Sequence, residues 1–381
     1  MPRLRPSLFW QARHKISPQS APLLNVCRDL PSTAAEFRWI RQHIASFPSP
    51  IPPVLRLHRL CALRARGVPL QYVLGTQPFG DLEILCRPGV LIPRPETEAY
   101  TLLLGQILSA AAAAAAARDF SQKTQILNVL DICTGTGCIP LQLHASLHNS
   151  NNASSNSSKK VTTKITSHIH GVDISSKAIA LARRNLAHNF PTFKQNQEDQ
   201  KTTGENKSTI TFHKHDIFSP SFLSDPTIFP EDKTEKAKKY DLLISNPPYI
   251  SPRAFATQTA RSVRNYEPRL ALVPSPSLAA SSYPSAARQE DVFYARLVDI
   301  VSIKKPRRVL FEVAGWEQAL RVVGMVLDDM RLRGENYTLE IWRDWPDGSK
   351  DEVVEVDGVN VRVRGEGDGR AVYLYQTEEG C

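Results

Sequence analysis

The chain has 381 residues, 41% hydrophobic and 22% charged, which excludes a wholly disordered or collagen-like polymer and leaves room for two or three domains with sizeable cores. Lys and Arg (47) exceed Asp and Glu (38) by nine. Five of those nine charges are Arg3, Arg5, Arg13, Lys15 and Arg28, all ahead of the first acid, Asp29, so the remainder is too weakly basic to mark the folded part as a nucleic-acid binder.

In chain order, residues 1–28 are acid-free, Arg-bearing and dotted with Leu, Phe and Trp. That pattern reads as a mitochondrial transit peptide or a disordered basic tail. Residues 29–70 read as a small helical domain. Ser32-Thr33 can cap a helix through Trp39, Ile40 and Ile44, Pro48 to Pro53 break it, and a second helix carries Leu55, Leu57, Leu60 and Leu63 to Gly67. Arg56, Arg59, Arg64 and Arg66 fall on that second helix as a solvated face. Residues 71–94 turn extended: Phe79-Gly80-Asp81 and Pro88-Gly89 are turns, and Val90-Leu91-Ile92 a strand, giving a β-hairpin linker. Pro95 and Glu96 open a helix whose end is alanine-rich, a core helix rather than a membrane span.

From residue 95 to 381 strands and helices alternate. Strands are expected at 126–132, 165–174, 210–217, 240–245, 308–314, 337–342 and 371–375, with helices at 138–147, after Ser175-Ser176, at 291–303 and at 318–330. Repeated β–α units imply a mostly parallel sheet with helices on both faces. Four stretches (149–160, 194–208, 225–239, 274–288) are too polar or too biased to bury much surface, and read as surface loops. Six scattered cysteines (Cys27, Cys61, Cys86, Cys133, Cys138, Cys381) contain no Cys-x-x-Cys pair and suit a reducing compartment, the mitochondrial matrix or alternatively the cytoplasm. His213 and His215 alternate as one exposed stripe, and no metal cluster is evident.

Chemistry concentrates at strand ends. Asp131-Ile132-Cys133-Thr134-Gly135-Thr136-Gly137-Cys138 is a strand-to-helix turn whose glycines let a ligand approach backbone N–H groups. It lacks the Gly-Lys-Ser/Thr of a P-loop, and Pro140 replaces the third glycine of a dinucleotide fingerprint. Asp173, ending the next strand, can accept ribose hydroxyls or cap the following helix. Asp216-Ile217 can meet an adenine amino group and ring, or Asp216 is a plain loop carboxylate. Together these describe an adenosine-containing cofactor. The strongest motif is Asn246-Pro247-Pro248-Tyr249 after an apolar strand. Two prolines make a stiff turn that aims the Asn246 amide oxygen and the Pro247 carbonyl at a planar NH₂ group, whose nitrogen can then attack an electrophile, with Tyr249 offering a flat face.

Here the chain resembles the S-adenosylmethionine-dependent methyltransferases with an Asn-Pro-Pro-Tyr motif. Within them it is similar to the HemK/PrmC-type enzymes that methylate a glutamine amide of peptide-chain release factors. Further segments carrying the resemblance are Gly67 to Gly75, Leu91-Ile92-Pro93-Arg94-Pro95-Glu96-Thr97-Glu98, Tyr266 to Leu272, Asp291-Val292-Phe293-Tyr294 and Ile341-Trp342-Arg343-Asp344. The resemblance implies a seven-stranded Rossmann-like class I methyltransferase domain behind the helical domain and its β-hairpin linker. It implies S-adenosyl-L-methionine held by Cys133, Thr134, Gly135, Thr136, Gly137, Asp173, Asp216, Ile217 and Asn246. Catalysis and glutamine binding fall to Asn246, Pro247, Pro248 and Tyr249, with Arg94 and Glu96 shaping the substrate pocket. The implied partner is a release factor, mitochondrial if the leader is one, gripped by the helical domain at residues 29–70, with no stable nucleic-acid or membrane binding. Two departures stand out: Cys133 replaces a usual glycine, and the inserts are long. The alternative reading is a nucleic-acid amino-methyltransferase acting on adenine or guanine.

Overall fold

The computed structural model describes residues 3–118, 124–149, 164–191, 193, 207–229, 240–278, 286, 288–333, 337–347 and 351–376. Two units emerge: Met1–Gln77 with Cys86–Ile92 and Ala256–Pro268, and Pro78–Leu85 with Pro93–Phe255 and Arg269–Cys381.

The first unit is helical. Short turns α1 (Pro6–Gln11) and α2 (Leu24–Cys27) precede α3 (Leu30–Ser46), α4 (Pro53–Ala65) and α5 (Leu70–Leu74). Within residues 1–28, read from sequence as a leader or disordered tail, 6–16 and 18–27 are helical, and Leu23 is 0% exposed in a core with Phe37, Ile40, Ile44 and Cys61. The cap of α3 is Asp29, whose carboxylate accepts from Ser32 N at 2.7 Å, one turn ahead of the expected Ser32-Thr33 because Pro31 suits the helix start. Arg64 is not part of a solvated face. It forks onto Glu36 at 2.7 and 2.8 Å and donates to Val68 O. Arg56 likewise donates to Phe47 O. Residues 256–268 rejoin this unit, where Tyr266 OH donates to Arg66 O and Ile92 N to the Glu267 carboxylate.

Residues Thr76–Phe79 (β1) and Leu82–Leu85 (β2) make the expected hairpin, while Leu70–Leu74 before it is helical and Val90-Leu91-Ile92 is not a strand. In the second unit, α6 (Pro95–Arg118) precedes alternating β3 (Thr124–Ile132), α7 (Cys138–Asn149), β4 (Lys164–Asp173), α8 (Ser176–Asn189), β5 (Thr209–Lys214) and β6 (Leu242–Ser245). After short helices α9 (Pro252–Thr257) and α10 (Arg261–Tyr266) come α11 (Val292–Lys304), β7 (Arg308–Glu312), α12 (Trp316–Arg333), β8 (Thr338–Trp345), β9 (Asp351–Val356), β10 (Val359–Arg364) and β11 (Glu366–Tyr375).

The sheet order is β5-β4-β3-β6-β7-β11-β8-β10-β9. β3 to β7 pair in parallel and β11 runs antiparallel between β7 and β8. All seven expected strands are present, and a hairpin, β9–β10, extends the edge beyond β8. The strand order reverses between β3 and β6, so ligands are expected where those two strands end. Apolar cores cover both faces.

The loop readings hold only in part. Residues 194–206, 230–239 and most of 149–160 and 274–288 lie outside the described residues. Ile228 and Phe229, inside the 225–239 stretch, are buried in the core, and Tyr240 OH donates to Ile228 O. The imidazoles of His213 and His215 do not form an exposed stripe. His213 lies 2.9 Å from Thr211 Oγ1, and His215 lies 3.7 Å from Asp225.

Candidate active site

The ends of β3, β4 and β6 build one crevice in the second unit. Cys133 leaves β3 with φ +65°, followed by Gly135 at +56° and Gly137 at +78°. Thr134 N donates to Val172 O at 2.9 Å, and Gly135 N to Asp173 Oδ2 at 2.9 Å, tying the turn to β4. The other Asp173 oxygen accepts from Ser175 N at 2.8 Å, and Ser175 itself caps α8. Each Asp173 oxygen thus keeps a lone pair for a ligand. Burial pushes its carboxyl up, and the two N–H donors pull it back.

Each glycine has a different neighbourhood. A Cβ on Gly137 would come within 3.0 Å of Phe212 and 3.1 Å of Ala182, so that glycine serves packing. A Cβ on Gly135 would meet nothing within 4 Å, which leaves its backbone open to a ligand. Behind the turn, Asp131 is fully buried, and among the described residues neither its carboxyl oxygens nor the Thr134 hydroxyl reaches a partner at hydrogen-bonding geometry. Burial pushes the Asp131 carboxyl up to about 8. An open glycine, a buried Asp131 carboxyl left over among the described residues and the spare acceptors of Asp173 fit a nucleoside donor such as S-adenosylmethionine. At the end of β5, Ile217 is buried and Asp216 half-buried, one Asp216 oxygen accepting from Phe218 N.

The Asn246-Pro247-Pro248-Tyr249 turn leaves β6 beside β7. Ser245 at its root pairs with Ile132 and Phe311, and its hydroxyl donates to Ile132 O. Asn246 Nδ2 donates to Glu312 Oε2 at 2.8 Å, and Tyr249 OH to Glu312 Oε1 at 2.8 Å. Thr97 and Tyr100, from the first two turns of α6, donate to Glu312 Oε2 at 2.6 and 2.8 Å. Burial pushes the Glu312 carboxyl up, with those donors opposing. Burial and the adjacent Glu312 carboxylate push the Tyr249 hydroxyl well up too, with the charges of Arg370 and then Arg94 acting the other way. The Asn246 amide oxygen accepts no hydrogen bond among the described residues, which leaves it available to a ligand.

A family profile described as Eco57I restriction-modification methylase matches residues 167–305, a span with the Asn-Pro-Pro-Tyr turn but without Cys133 to Gly137. The chain is 33% identical over 273 residues to a Saccharomyces cerevisiae protein named mitochondrial MRF1 N(5)-glutamine methyltransferase MTQ1, covering 72% of this chain and 68% of that one. The chain belongs to the N(5)-glutamine methyltransferase family. A Schizosaccharomyces pombe protein named probable MRF1 mitochondrial N(5)-glutamine methyltransferase is 29% identical over 325 residues, 84% of this chain and 87% of that one. A Geobacter sulfurreducens release factor glutamine methyltransferase is 32% identical over 229 residues, 60% and 58% of the two chains.

In this glutamine methyltransferase the structure gathers Cys133 to Gly137, Asp173 and the Asn246 turn at the strand-order reversal. Arg94 acts on Tyr249 by charge, and Glu96 is half-exposed in the first turn of α6. Tyr100 and Glu312, not singled out from sequence, and Thr97, named there only within the Leu91-to-Glu98 segment, are the side chains that hold the turn. Glu312, like Asp173, is an acid at the end of a sheet strand, but that position alone does not reveal its partners. The Asp291-to-Tyr294 segment buttresses the same place. Tyr294 OH donates to Glu312 O at 2.7 Å. Asp291, forked by Arg321 at 2.7 and 3.0 Å, holds Gln318 at 2.8 Å.

Proposed function

We propose that this chain transfers a methyl group from S-adenosyl-L-methionine to the N5 side-chain amide nitrogen of the glutamine in the Gly-Gly-Gln motif of a peptide-chain release factor. The observation that carries the reading is a proline turn whose Asn246 amide is held from behind by Glu312, in a chain of the glutamine methyltransferase family, at the point where an open α/β sheet binds ligands. The sites are assigned residue by residue. Cys133 to Gly137, Asp173, Asp216, Ile217 and Asn246 hold the donor. Asn246 to Tyr249 hold the glutamine, and Arg94 and Glu96 line its approach.

When bound, the donor supplies an electrophilic methyl carbon on a sulfonium. The chain's own residues do the positioning. Pro247 and Pro248 fix the turn and contribute no N–H to compete with the substrate. The Asn246 and Pro247 oxygens accept the two amide hydrogens, which aims the nitrogen lone pair outward and rewards positive charge growing on that nitrogen. No general base is required, because the methylated amide loses its proton to water.

Both fungal relatives carry mitochondrial names, and the acid-free basic stretch before Asp29 agrees with import. We therefore place the enzyme in the mitochondrial matrix and its substrate among the release factors there. The test offers full-length protein and labelled donor to a mitochondrial release factor, to its Gly-Gly-Ala variant, and to DNA and RNA. Label on the unmodified factor alone is expected. Label on nucleic acid, or on the Gly-Gly-Ala variant, sinks the reading.

A further inference from the structure

Glu312 is the odd group in the crevice. It is 1% exposed, it follows Val309, Leu310 and Phe311 at the end of β7, and among the described residues no Lys or Arg forms an ion pair with it. Arg370 acts on it through space only. An uncompensated buried carboxylate is costly, and here its hydrogen bonds satisfy it. Four side chains from two distant segments converge on it: Thr97 and Tyr100 from α6, Asn246 and Tyr249 from the turn.

A carboxylate only accepts, so everything facing it must donate. That settles which way the Asn246 amide points. Its NH₂ is spent on Glu312, and its oxygen is left for the crevice. The terminal torsion of an asparagine is soft and nearly two-fold, so without an acceptor behind it the amide can turn over and confront a substrate NH₂ donor-to-donor. Both ends of the four-residue turn are tied to this one side chain, through Asn246 and Tyr249.

We infer that Glu312 is a positioning residue for methyl transfer, which locks the Asn246 amide with its oxygen toward the substrate nitrogen and strengthens that oxygen as an acceptor while the nitrogen becomes positive. This rests on the methyl-transfer reading above. In the step, the nitrogen lone pair forms the N–C bond, the C–S bond breaks with its electron pair leaving on sulfur as a neutral thioether, and the surplus N–H proton goes to water. The Glu312 charge sits one hydrogen bond behind Asn246. Its effect grows as the substrate hydrogens become more acidic, so it favours the transition state over the ground state.

The test uses the full chain carrying Glu312→Gln, which keeps the shape and one carbonyl but removes the charge. The kcat is expected to fall about 100-fold, the size seen when one preorganised transition-state contact is weakened, while KM for the release factor and the donor Kd move less than about threefold. In an Asn246→Ala background the same change is expected to cost less than about threefold more, since its target is gone. A kcat within about threefold of wild type, or losses that simply multiply in the double variant, overturns the inference. A second readout needs no turnover: the side-chain amide NMR signal of Asn246, assigned by its loss in Asn246→Ala. A shift and faster hydrogen exchange in Glu312→Gln support the lock, and an unchanged signal overturns it. If wild-type protein transfers no methyl to the factor, the function fails, and the amide signal still judges the lock.

Discussion

Cys133 stands where backbone conformation favours glycine. Its φ of +65° costs an L-residue about 1–2 kcal/mol, against the roughly 0.5–1 kcal/mol of chain entropy a glycine loses on folding. Cys133→Gly is therefore expected to leave stability within about 1 kcal/mol and donor affinity equal or better. Cys133→Val, β-branched at the same angle, should weaken both. Titration calorimetry with S-adenosylmethionine checks the pair, and glycine binding worse than valine would contradict the argument. Asp131 gives a pH prediction. Its carboxyl is pushed to about 8 in the fold, against about 3.9 in an unfolded chain. A raised acid leaves stability highest below about pH 4 and removes it as pH climbs toward 8, because the unfolded chain releases its proton first. Ligand-free protein should thus lose stability in urea between about pH 5 and pH 8, and Asp131→Asn should flatten that slope. Equal slopes in the two proteins would show that other groups set it.

At the scale of elements, the sequence was most legible where one strand buries both faces. β3, β6 and, after Arg308, β7 read as largely apolar runs ending at Ile132, Ser245 and Glu312 because a parallel sheet covered on both sides demands such runs. The β9–β10 hairpin was missed because it alternates valine with charge. Yet its signal was present in Asp357-Gly358, both at positive φ (+49° and +78°), between Val356 and Val359, which pair across the turn. The buried Ile228 and Phe229 were missed because a charged insert masked two apolar residues. Glu312 was missed because its meaning lies in partners far along the chain, Thr97 at one extreme and Asn246 at the other, which no local pattern brings together. Helix packing supplies a prediction of sign. A Cβ on Gly105 in α6 would lie 2.6 Å from the Ser146 Cβ of α7. In an open helix Gly→Ala gains about 1 kcal/mol, but here the helices must part, so Gly105→Ala is expected to cost about 1–3 kcal/mol. Ala114→Lys, on the exposed end of the same helix, should stay within about 0.5 kcal/mol. Urea melts decide it, and a stabilised Gly105→Ala would show that the two helices can yield.

For the whole molecule, the first 28 residues are the point of tension. Their charge pattern says leader, while their packing says fold. Leu23 is fully buried with Phe37, Ile40, Ile44 and Cys61, and Leu24 with Ala12 and Ala21. Removing a buried leucine costs about 2–5 kcal/mol through lost transfer energy and the cavity left behind. For a helical unit with so small a core, that is a large part of what holds it. A chain beginning at Asp29 should therefore show α3 and α4 opening readily, measured as lost hydrogen-exchange protection along Phe37 to Ile44. Leu23→Ala in the full chain should show the same effect in milder form. Donor binding separates the two units. Cys133 to Gly137, Asp173 and Asn246 all belong to the second unit, so affinity for S-adenosylmethionine should survive both changes within about threefold, the scatter allowed for sites without shared partners. Transfer to a release factor should fall if the helical unit grips it. Full protection at α3 and α4 without residues 1–28 would instead make the segment dispensable to the fold and free to be cut away on import.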